Sequence, residues 1–244
     1  MLELSIIIPA YNSQKYVVKV ITGVIYVLSK KKINFEVILV SDGSTDNTLK
    51  YAEKISQKYP SIVRVFGYVK NKGKGYAVSF GMKKARGKIV GFIDCDREID
   101  PVSIISLFDT FKKKEADIVV GSKWHVKSNT VYPKIRKFIS RSYFLLVKML
   151  FNLPITDTQA GVKLYKKAVI NKIQPYCRTS GFAFDVEWLA TAYAVGYKKI
   201  FDAPIKVFWG KVDDASLLKS FRLIFESSKM FLDTLDIFFR TRKI

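Results

Sequence analysis

Four short, continuous apolar segments alternate with segments of helical character in the first part of the chain. They are Leu4–Pro9, Phe35–Val40, Val63–Tyr68 and Ile89–Asp94. Strands that are apolar along their whole length are typical of parallel sheets buried on both faces, and the alternating helices supply the covering layers. We therefore expect an α/β fold with a mostly parallel sheet flanked by helices.

Each apolar segment ends in a polar loop. In chain order the loops contain PAYNS, SDGSTD, NKGKG and DCD. Ligands of parallel sheets bind beyond the carboxyl ends of the strands, so we expect the four loops to converge on one site. The sequence has no Walker motif and no Gly-x-Gly-x-x-Gly after its first strand, which disfavours a P-loop NTPase or a typical dinucleotide enzyme.

The fourth loop supplies two carboxylates, Asp94 and Asp96. Alternate side chains of a strand share a face, so the two carboxylates lie together while Cys95 points away. Carboxylates this close repel each other unless a cation is bound between them. Mg²⁺ often takes one or two carboxylates together with substrate phosphate oxygens, which indicates a nucleotide. An acidic turn at a strand end is the alternative interpretation.

The other loops offer further parts of a nucleotide site. Asp42 can accept a hydrogen bond from a ring N–H of a base, and Tyr11 can stack on the base or close the pocket. Lys74 lies between Gly73 and Gly75, whose backbone freedom permits close approach to a ligand. A flexible turn at these glycines is the alternative.

The chain is strongly basic, with 42 Lys and Arg residues against 21 Asp and Glu residues and a formal net charge of +21. This charge predicts an anionic partner such as nucleic acid, nucleotide, phospholipid or a phosphorylated acceptor. Two cysteines indicate a reducing compartment and cannot build a metal cluster. We see no signal peptide and no spanning segment of roughly 20 apolar residues, so we expect a soluble or peripheral cytoplasmic protein.

Six segments resemble the ordered motifs of a known enzyme family. Four of them resemble family 2 inverting glycosyltransferases with the GT-A fold: residues 6–12 (IIIPAYN), 41–48 (SDGSTDNT), 71–77 (NKGKGYA) and 92–96 (FIDCD). Two more resemble the dolichyl-phosphate glucose and mannose synthase branch, with the closer likeness to the glucose synthases: residues 157–165 (DTQAGVKLY) and 182–187 (FAFDVE). The resemblance covers about residues 4 to 210.

The resemblance implies roles for particular residues. Those implied to bind a nucleotide sugar are Pro9, Ala10, Tyr11, Asn12, Asp42, Gly73, Lys74 and Asp94. Those implied to be catalytic are Asp94, Asp96, Asp185 and Glu187, with Asp96 as the main ligand of Mg²⁺ or Mn²⁺. Those implied to meet an acceptor phosphate are Lys123, Arg136, Arg141 and Lys163. Those implied to shape the loop beside the site are Asp157, Gln159 and Gly161.

The implied reaction moves a hexose, glucose from UDP-glucose, onto a polyprenyl or dolichyl phosphate. The second pKa of a phosphate monoester, near 6, leaves an oxygen already anionic at neutral pH, so no general base is needed. Asp185 and Glu187 then orient sugar or loop, whereas a hydroxyl acceptor would require one of them, or Asp157, as a base. GDP-mannose as donor and a glycan hydroxyl as acceptor are the alternatives, and charge alone suggests a nucleic-acid-binding protein, which we do not expect.

The sequence departs from the family pattern at several positions. Ser13 stands where many members have Glu, and Ser41 replaces the first Asp of a common Asp-Asp-Gly-Ser. Lys123 and Lys163 replace frequent arginines. Residues 97–98 are Arg-Glu, where the mannose synthases have Leu-Gln, and this weakens the GDP-mannose alternative.

Two downstream regions predict contacts with lipid. A basic segment, residues 123–141, precedes an apolar segment, residues 143–153. The first offers cations for a phosphate, and the second offers apolar surface for a polyprenyl chain. The alternative is a basic loop followed by a core helix. We predict a catalytic domain over residues 1–210 and an amphipathic helical extension over 211–244. The extension either packs on the core or lies on an anionic membrane surface at the cytoplasmic face.

Overall fold

The protein folds around a central sheet with helices on both faces. The computed structural model describes residues 2–96, 98–128, 134–208 and 230–244, with residues 134–140 described by their backbone alone. The strands are β1 (Leu4–Ala10), β2 (Phe35–Asp42), β3 (Val63–Tyr68), β4 (Ile89–Ile93), β5 (Ile118–Ser122), β6 (Val162–Lys166) and β7 (Ile200–Pro204). The helices are α1 (Val17–Lys30), α2 (Thr48–Lys58), α3 (Lys74–Lys84), α4 (Ser103–Lys113), α5 (Lys134–Phe151), α6 (Lys167–Ile173) and α7 (Phe184–Ala194).

The seven strands lie in the order β3-β2-β1-β4-β6-β5-β7. The pairs β1–β2, β1–β4, β2–β3 and β5–β7 are parallel, whereas β6 runs antiparallel to both of its neighbours, β4 and β5. The predicted α/β fold with a mostly parallel sheet is therefore confirmed. Because β6 is reversed, the loop that enters it arrives at the sheet edge where β4 ends.

The burial of β1 explains why its apolar residues do not alternate with polar ones. Every residue of β1 is buried, and so is every residue of β2. Ile6 and Ile8 pack in a core with the buried faces of α1 and α4, while Ile7 packs on the other face of the sheet with residues of α3, α6 and α7. Both faces of each strand are therefore largely apolar, and the buried polar pair Ser5 and Glu36 is joined by a hydrogen bond.

Two helices differ from the prediction. The end of the basic segment, from residue 134, and most of the apolar segment share one helix, α5, because basic and apolar residues recur at helical spacing across its 18 residues. The seven-residue helix α6 follows β6 directly and was not predicted. Its short apolar pattern, with Val169, Ile170 and Ile173 buried, is too brief to be read as a helix from periodicity.

A further helix, residues 230–241, is called the C-terminal helix below. Ile237 is fully buried against Ala183 and Ala190, and the Tyr143 and Thr234 hydroxyls lie 2.7 Å apart. The described part of the predicted extension thus packs on the core; its residues 211–229 lie outside the described residues, and the division into domains stays a prediction. Among the described residues, no helix is both long enough and apolar enough to cross a membrane.

Candidate active site

A cleft of about 460 Å³ opens where β1, β2 and β4 end. Its lining residues come from the four polar loops and from the segment before α7: Pro9, Ala10, Tyr11, Ser13, Asp42, Asn71, Gly73, Lys74, Ala77, Asp94, Cys95, Asp96, Gly181 and Phe182. The predicted convergence of the strand-end loops is therefore observed. The lining combines acidic side chains from the ends of β2 and β4 with a cation from the start of α3.

The glycines around Lys74 are required by a neighbouring loop. Gly73 has φ +97°, and a Cβ there would lie 2.5 Å from the carbonyl oxygen of Ser180. A Cβ on Gly75 would lie 2.7 Å from the carbonyl oxygen of Thr179, while the Gly75 N–H donates to the Ser180 carbonyl at 2.8 Å. The turn is therefore packed against the 179–181 backbone, and the flexible-turn alternative does not describe it.

Lys74 forms an ion pair with Asp94. Its Nζ lies 2.7 Å from Oδ1 and 2.8 Å from Oδ2 of Asp94, and only the Oδ2 contact has hydrogen-bond geometry. Burial by itself would lower the pKa of Lys74, but Asp94 and then Asp185 attract its proton strongly enough to raise the pKa above the ordinary value. Lys74 is therefore a cation at the floor of the cleft.

Gly161 lets the loop before β6 approach Asp94. The Asp94 N–H donates to the Gly161 carbonyl at 2.9 Å, and a Cβ on Gly161 would lie 2.1 Å from Asp94 Oδ2. Asp157 holds the same loop, because its Oδ1 accepts from Gln159 N at 3.0 Å and its Oδ2 accepts from Lys123 N at 3.2 Å. The three residues predicted to shape this loop therefore lie together, although their effect on catalysis stays a prediction.

Asp96 is accessible from the cleft but closely surrounded by protein atoms. This crowding, followed by repulsion from Asp94, raises the pKa of Asp96 to about 6. Asp94 Oδ1 is buried and accepts no hydrogen bond from the described residues, although it lies in the ion pair with Lys74. The carboxylates of Asp94 and Asp96 are a pair of oxygen donors of the kind that suits Mg²⁺ or Mn²⁺. The described residues contain no cluster of three His, Cys, Asp or Glu side chains, so a bound ion would complete its shell with substrate or water oxygens.

Asp42 is almost fully buried and already has several hydrogen-bond donors. Its Oδ1 accepts from Lys72 N at 2.8 Å, and its Oδ2 accepts from Gly73 N at 2.9 Å and from Asn71 Nδ2 at 3.1 Å. The Tyr68 hydroxyl also faces this carboxylate, whose negative charge, after burial, helps to raise the pKa of Tyr68. Asp42 therefore fixes the loop after β3 in addition to its predicted contact with the base.

Residues of the loop after β1 differ in position: some line the cleft, and others hold the loop in place. Tyr11 is half-exposed at the cleft, where its ring is accessible for stacking. Asn12 does not line the cleft: it adopts φ +48°, and its Oδ1 accepts from Thr45 N at 2.8 Å. Its contacts therefore hold the loops after β1 and β2 together, and they do not support the predicted contact with the nucleotide sugar.

Two predicted catalytic carboxylates lie beneath the cleft and not in its lining. Asp185 is buried against Lys163, and Glu187 is fully buried at the start of α7. Burial raises the pKa of Asp185, while Lys163 and Lys74 oppose that rise. Burial lowers the pKa of Lys163, and Asp185 opposes that fall. Neither carboxylate is exposed in the manner of a general base.

The residues predicted to meet the acceptor phosphate do not form one group. Lys163 is fully buried, and besides Asp185 its Nζ donates to the Ala160 carbonyl at 2.9 Å, so its position gives no support to a phosphate contact. Lys123 is largely buried, with its Nζ 3.9 Å from Asp157 Oδ2. Arg141 is exposed on α5, and the side chain of Arg136 lies outside the described residues.

Several cleft residues were not predicted. They are Ser13, Asn71, Ala77, Cys95, Gly181 and Phe182. Phe182 is more than half exposed, and its place in the FAFDVE segment was the available signal. Cys95 was expected to point away from the carboxylates, yet it also lines the cleft, where burial raises the pKa of its thiol to about 12. The thiol is therefore protonated at neutral pH and is a poor nucleophile.

The mostly parallel sheet with a cleft at its strand ends is the fold of the GT-A glycosyltransferases to which the structure is similar. The chain belongs to this class as a member of glycosyl transferase family 2, whose sequence pattern matches residues 5–174.

Individual relatives narrow the comparison. The dolichyl-phosphate beta-glucosyltransferase of Saccharomyces cerevisiae is 33% identical over 252 residues, covering 96% of this chain and 73% of that protein. The human dolichyl-phosphate beta-glucosyltransferase is 30% identical, covering 88% of this chain and 70% of that protein. Glucosyl-3-phosphoglycerate synthase from Mycobacterium tuberculosis, solved with Mn²⁺ and UDP-glucose, has a TM-score of 0.71 at 18% identity, covering 97% of this chain and 79% of that structure. The structural likeness shows the GT-A fold.

Proposed function

We propose that this family 2 glycosyltransferase moves glucose from UDP-glucose to a polyprenyl or dolichyl phosphate and inverts the anomeric configuration. The cleft that joins Asp94, Asp96 and Lys74 at the strand ends carries the proposal, because it combines acidic and cationic groups suited to a metal-bound diphosphate. The dolichyl-phosphate beta-glucosyltransferases of yeast and human support the choice of sugar and acceptor.

The donor would lie across the cleft. Tyr11 and Asp42 would hold the base, and Lys74 would face the phosphates with its positive charge. Asp96, assisted by Asp94, would hold Mg²⁺ or Mn²⁺. When bound, such an ion neutralises negative charge on the departing diphosphate. The residues thus separate recognition of the base from stabilisation of the leaving group.

The transfer is a single displacement. An oxygen of the acceptor phosphate forms a bond to the anomeric carbon while the bond from that carbon to the diphosphate oxygen breaks, and UDP leaves with the electron pair. The attacking oxygen is anionic at neutral pH, so no proton has to be removed. The burial of Asp185 and Glu187 among cations and N–H donors supports this base-free reaction, since neither is accessible to an acceptor hydroxyl.

The acceptor lipid would approach along two neighbouring helices. α5 and the C-terminal helix contact each other through Tyr143 with Thr234 and through Phe151 with Phe238. Both helices expose large apolar side chains: Leu145, Met149, Phe231, Leu232 and Phe239. Apolar side chains among basic ones suit a polyprenyl chain and an anionic bilayer surface, so we propose peripheral attachment at the cytoplasmic face of a membrane.

The reaction is tested by incubating the protein with Mn²⁺ or Mg²⁺, a nucleotide sugar and a short polyprenyl phosphate, and detecting products by mass. We expect hexosyl-phosphoryl-polyprenol from UDP-glucose and far less from GDP-mannose. Transfer to a glycan hydroxyl but not to the polyprenyl phosphate would overturn the acceptor. If no nucleotide stabilises the protein in a metal-dependent way and the protein binds nucleic acid, the assignment of transferase activity is overturned.

Arg136→Ala and Arg141→Ala are each expected to raise the KM for polyprenyl phosphate about tenfold, because each removes a charge-assisted contact with the acceptor phosphate. Hydrolysis of UDP-glucose in the absence of acceptor should be unchanged. Lys148→Ala, an exposed basic residue further along α5, is the matched control and should change KM less than about twofold. Equal losses of transfer and hydrolysis would contradict the assignment.

A further inference from the structure

The carboxylate of Glu187 joins two segments that are far apart in the sequence. Its Oε1 accepts from Arg240 Nη1 at 2.6 Å and from Arg178 N at 3.0 Å, and its Oε2 accepts from Thr179 N at 2.8 Å and from Arg178 N at 3.0 Å. Glu187 is fully buried. A buried carboxylate is tolerated when donors and an opposite charge surround it, and Arg240 supplies that charge from the C-terminal helix.

The backbone that Glu187 holds leads directly into the cleft. Gly181 and Phe182, two of the residues that line the cleft, follow Thr179 and Ser180. Ser180 accepts from the N–H of Gly75 at 2.8 Å. One short segment therefore forms a wall of the cleft and also packs against the turn that presents Lys74.

A series of contacts thus runs from the C-terminal helix to the donor site. Arg240 pairs with Glu187, and Glu187 accepts from the backbone of residues 178 and 179. The next residue, Ser180, accepts from Gly75, and the adjacent Lys74 pairs with Asp94. Arg240 lies outside residues 5–174, the part of the chain that matches the family pattern. Arg240 can therefore influence the donor site without touching the donor.

We propose that Arg240 is a positioning residue for the nucleotide-sugar site and acts through Glu187 on residues 178–182. The pair keeps the segment against the glycine turn, so that Phe182 and Lys74 hold the geometry the donor requires. This inference rests on the proposed function for the identity of the donor. It assigns to the C-terminal helix a part in donor binding that is separate from any contact with lipid.

The test compares Arg240→Ala, Arg240→Lys and a matched control, Arg242→Ala. Arg242 lies directly after the same helix, and its guanidinium carbon is 4.4 Å from the centre of the Phe238 ring. UDP binding with Mn²⁺ is measured by calorimetry, and KM values for UDP-glucose and polyprenyl phosphate are measured separately. We expect Arg240→Ala to weaken UDP binding and raise the KM for UDP-glucose about tenfold or more, with an unchanged KM for acceptor.

Arg240→Lys should recover part of the loss, because it restores the charge but not the planar guanidinium, and Arg242→Ala should match the parent. Glu187→Gln should weaken UDP binding. Adding Arg240→Ala to it should weaken UDP binding little further, because both substitutions break the same contact between the two residues. If Arg240→Ala melts at a lower temperature but binds UDP like the parent, the inference is overturned. If the parent binds UDP yet does not glucosylate polyprenyl phosphate, the proposed function fails alone.

Discussion

Replacing Asp96 with asparagine is expected to reduce glucosyl transfer about a thousandfold, the loss typical when a preorganised electrostatic group is removed from a transition state. The amide is isosteric but carries no charge, so it is a poor ligand for Mg²⁺ or Mn²⁺. The Mn²⁺-dependent rise in melting temperature on adding UDP should disappear with the activity. Initial rates with UDP-glucose and thermal shifts with UDP measure the two losses.

The variant should not be less stable when no metal is present. The pKa of Asp96 is raised to about 6, so the group is still mostly ionised at neutral pH, and its ionisation costs folding free energy because the unfolded chain ionises more readily. Removing that charge relieves repulsion from Asp94, so Asp96→Asn should melt at the same temperature as the parent or higher. Asp109→Asn, an exposed carboxylate on α4, is the matched control and should keep full activity. Full activity in Asp96→Asn would exclude Asp96 as the metal ligand.

Replacing Lys163 with methionine is expected to lower the free energy of unfolding by about 3–5 kcal/mol, the range seen when one partner of a buried ion pair is removed. Methionine approximates the shape of the lysine stem but leaves the Asp185 carboxylate buried without its cation. Lys166→Met is the matched control in the same strand. Lys166 pairs with Asp117 near the surface, so its loss should cost less than about 1 kcal/mol.

The loss of unfolding free energy in Lys163→Met should depend on pH. Burial raises the pKa of Asp185, and loss of the lysine should raise it further. A carboxyl group whose pKa is raised by folding destabilises the fold while it is ionised, and that penalty disappears as the pH falls through the raised pKa. Urea unfolding at descending pH should therefore bring the variant closer to the parent. A deficit that is small at neutral pH, or that grows on acidification, would contradict the buried pair.

The sheet and the location of the cleft could be predicted because their causes are local. Strands that are buried on both faces must be apolar throughout, and this pattern marks β1, β2 and β4 without any knowledge of their neighbours. The rule that ligands bind at the carboxyl ends of parallel strands then brings Asp42 and Asp94 together.

The environments of the charged residues could not be predicted in the same way. Lys163 was expected at an acceptor phosphate, but it lies in a strand whose antiparallel pairing with β4 and β5 buries it, and no local pattern reports that pairing. The contact between Glu187 and Arg240 joins residues 53 positions apart. Asn12 lies in a motif that predicts contact with a ligand, yet its side chain accepts a hydrogen bond from Thr45 in the loop after β2.

The position of β6 has a consequence for the order in which the sheet is assembled. β1 to β4 are contiguous in the sheet, so each has a neighbour among the other three, whereas β5 has only β6 and β7 as neighbours, and both follow it in the chain. During synthesis β5 must therefore wait for residues 162–166 before it can hydrogen-bond into the sheet. The side of the cleft that contains Tyr11 and Asp42 can form early, while the wall at residues 178–182 is added late, so a partly synthesised chain would have an incomplete cleft.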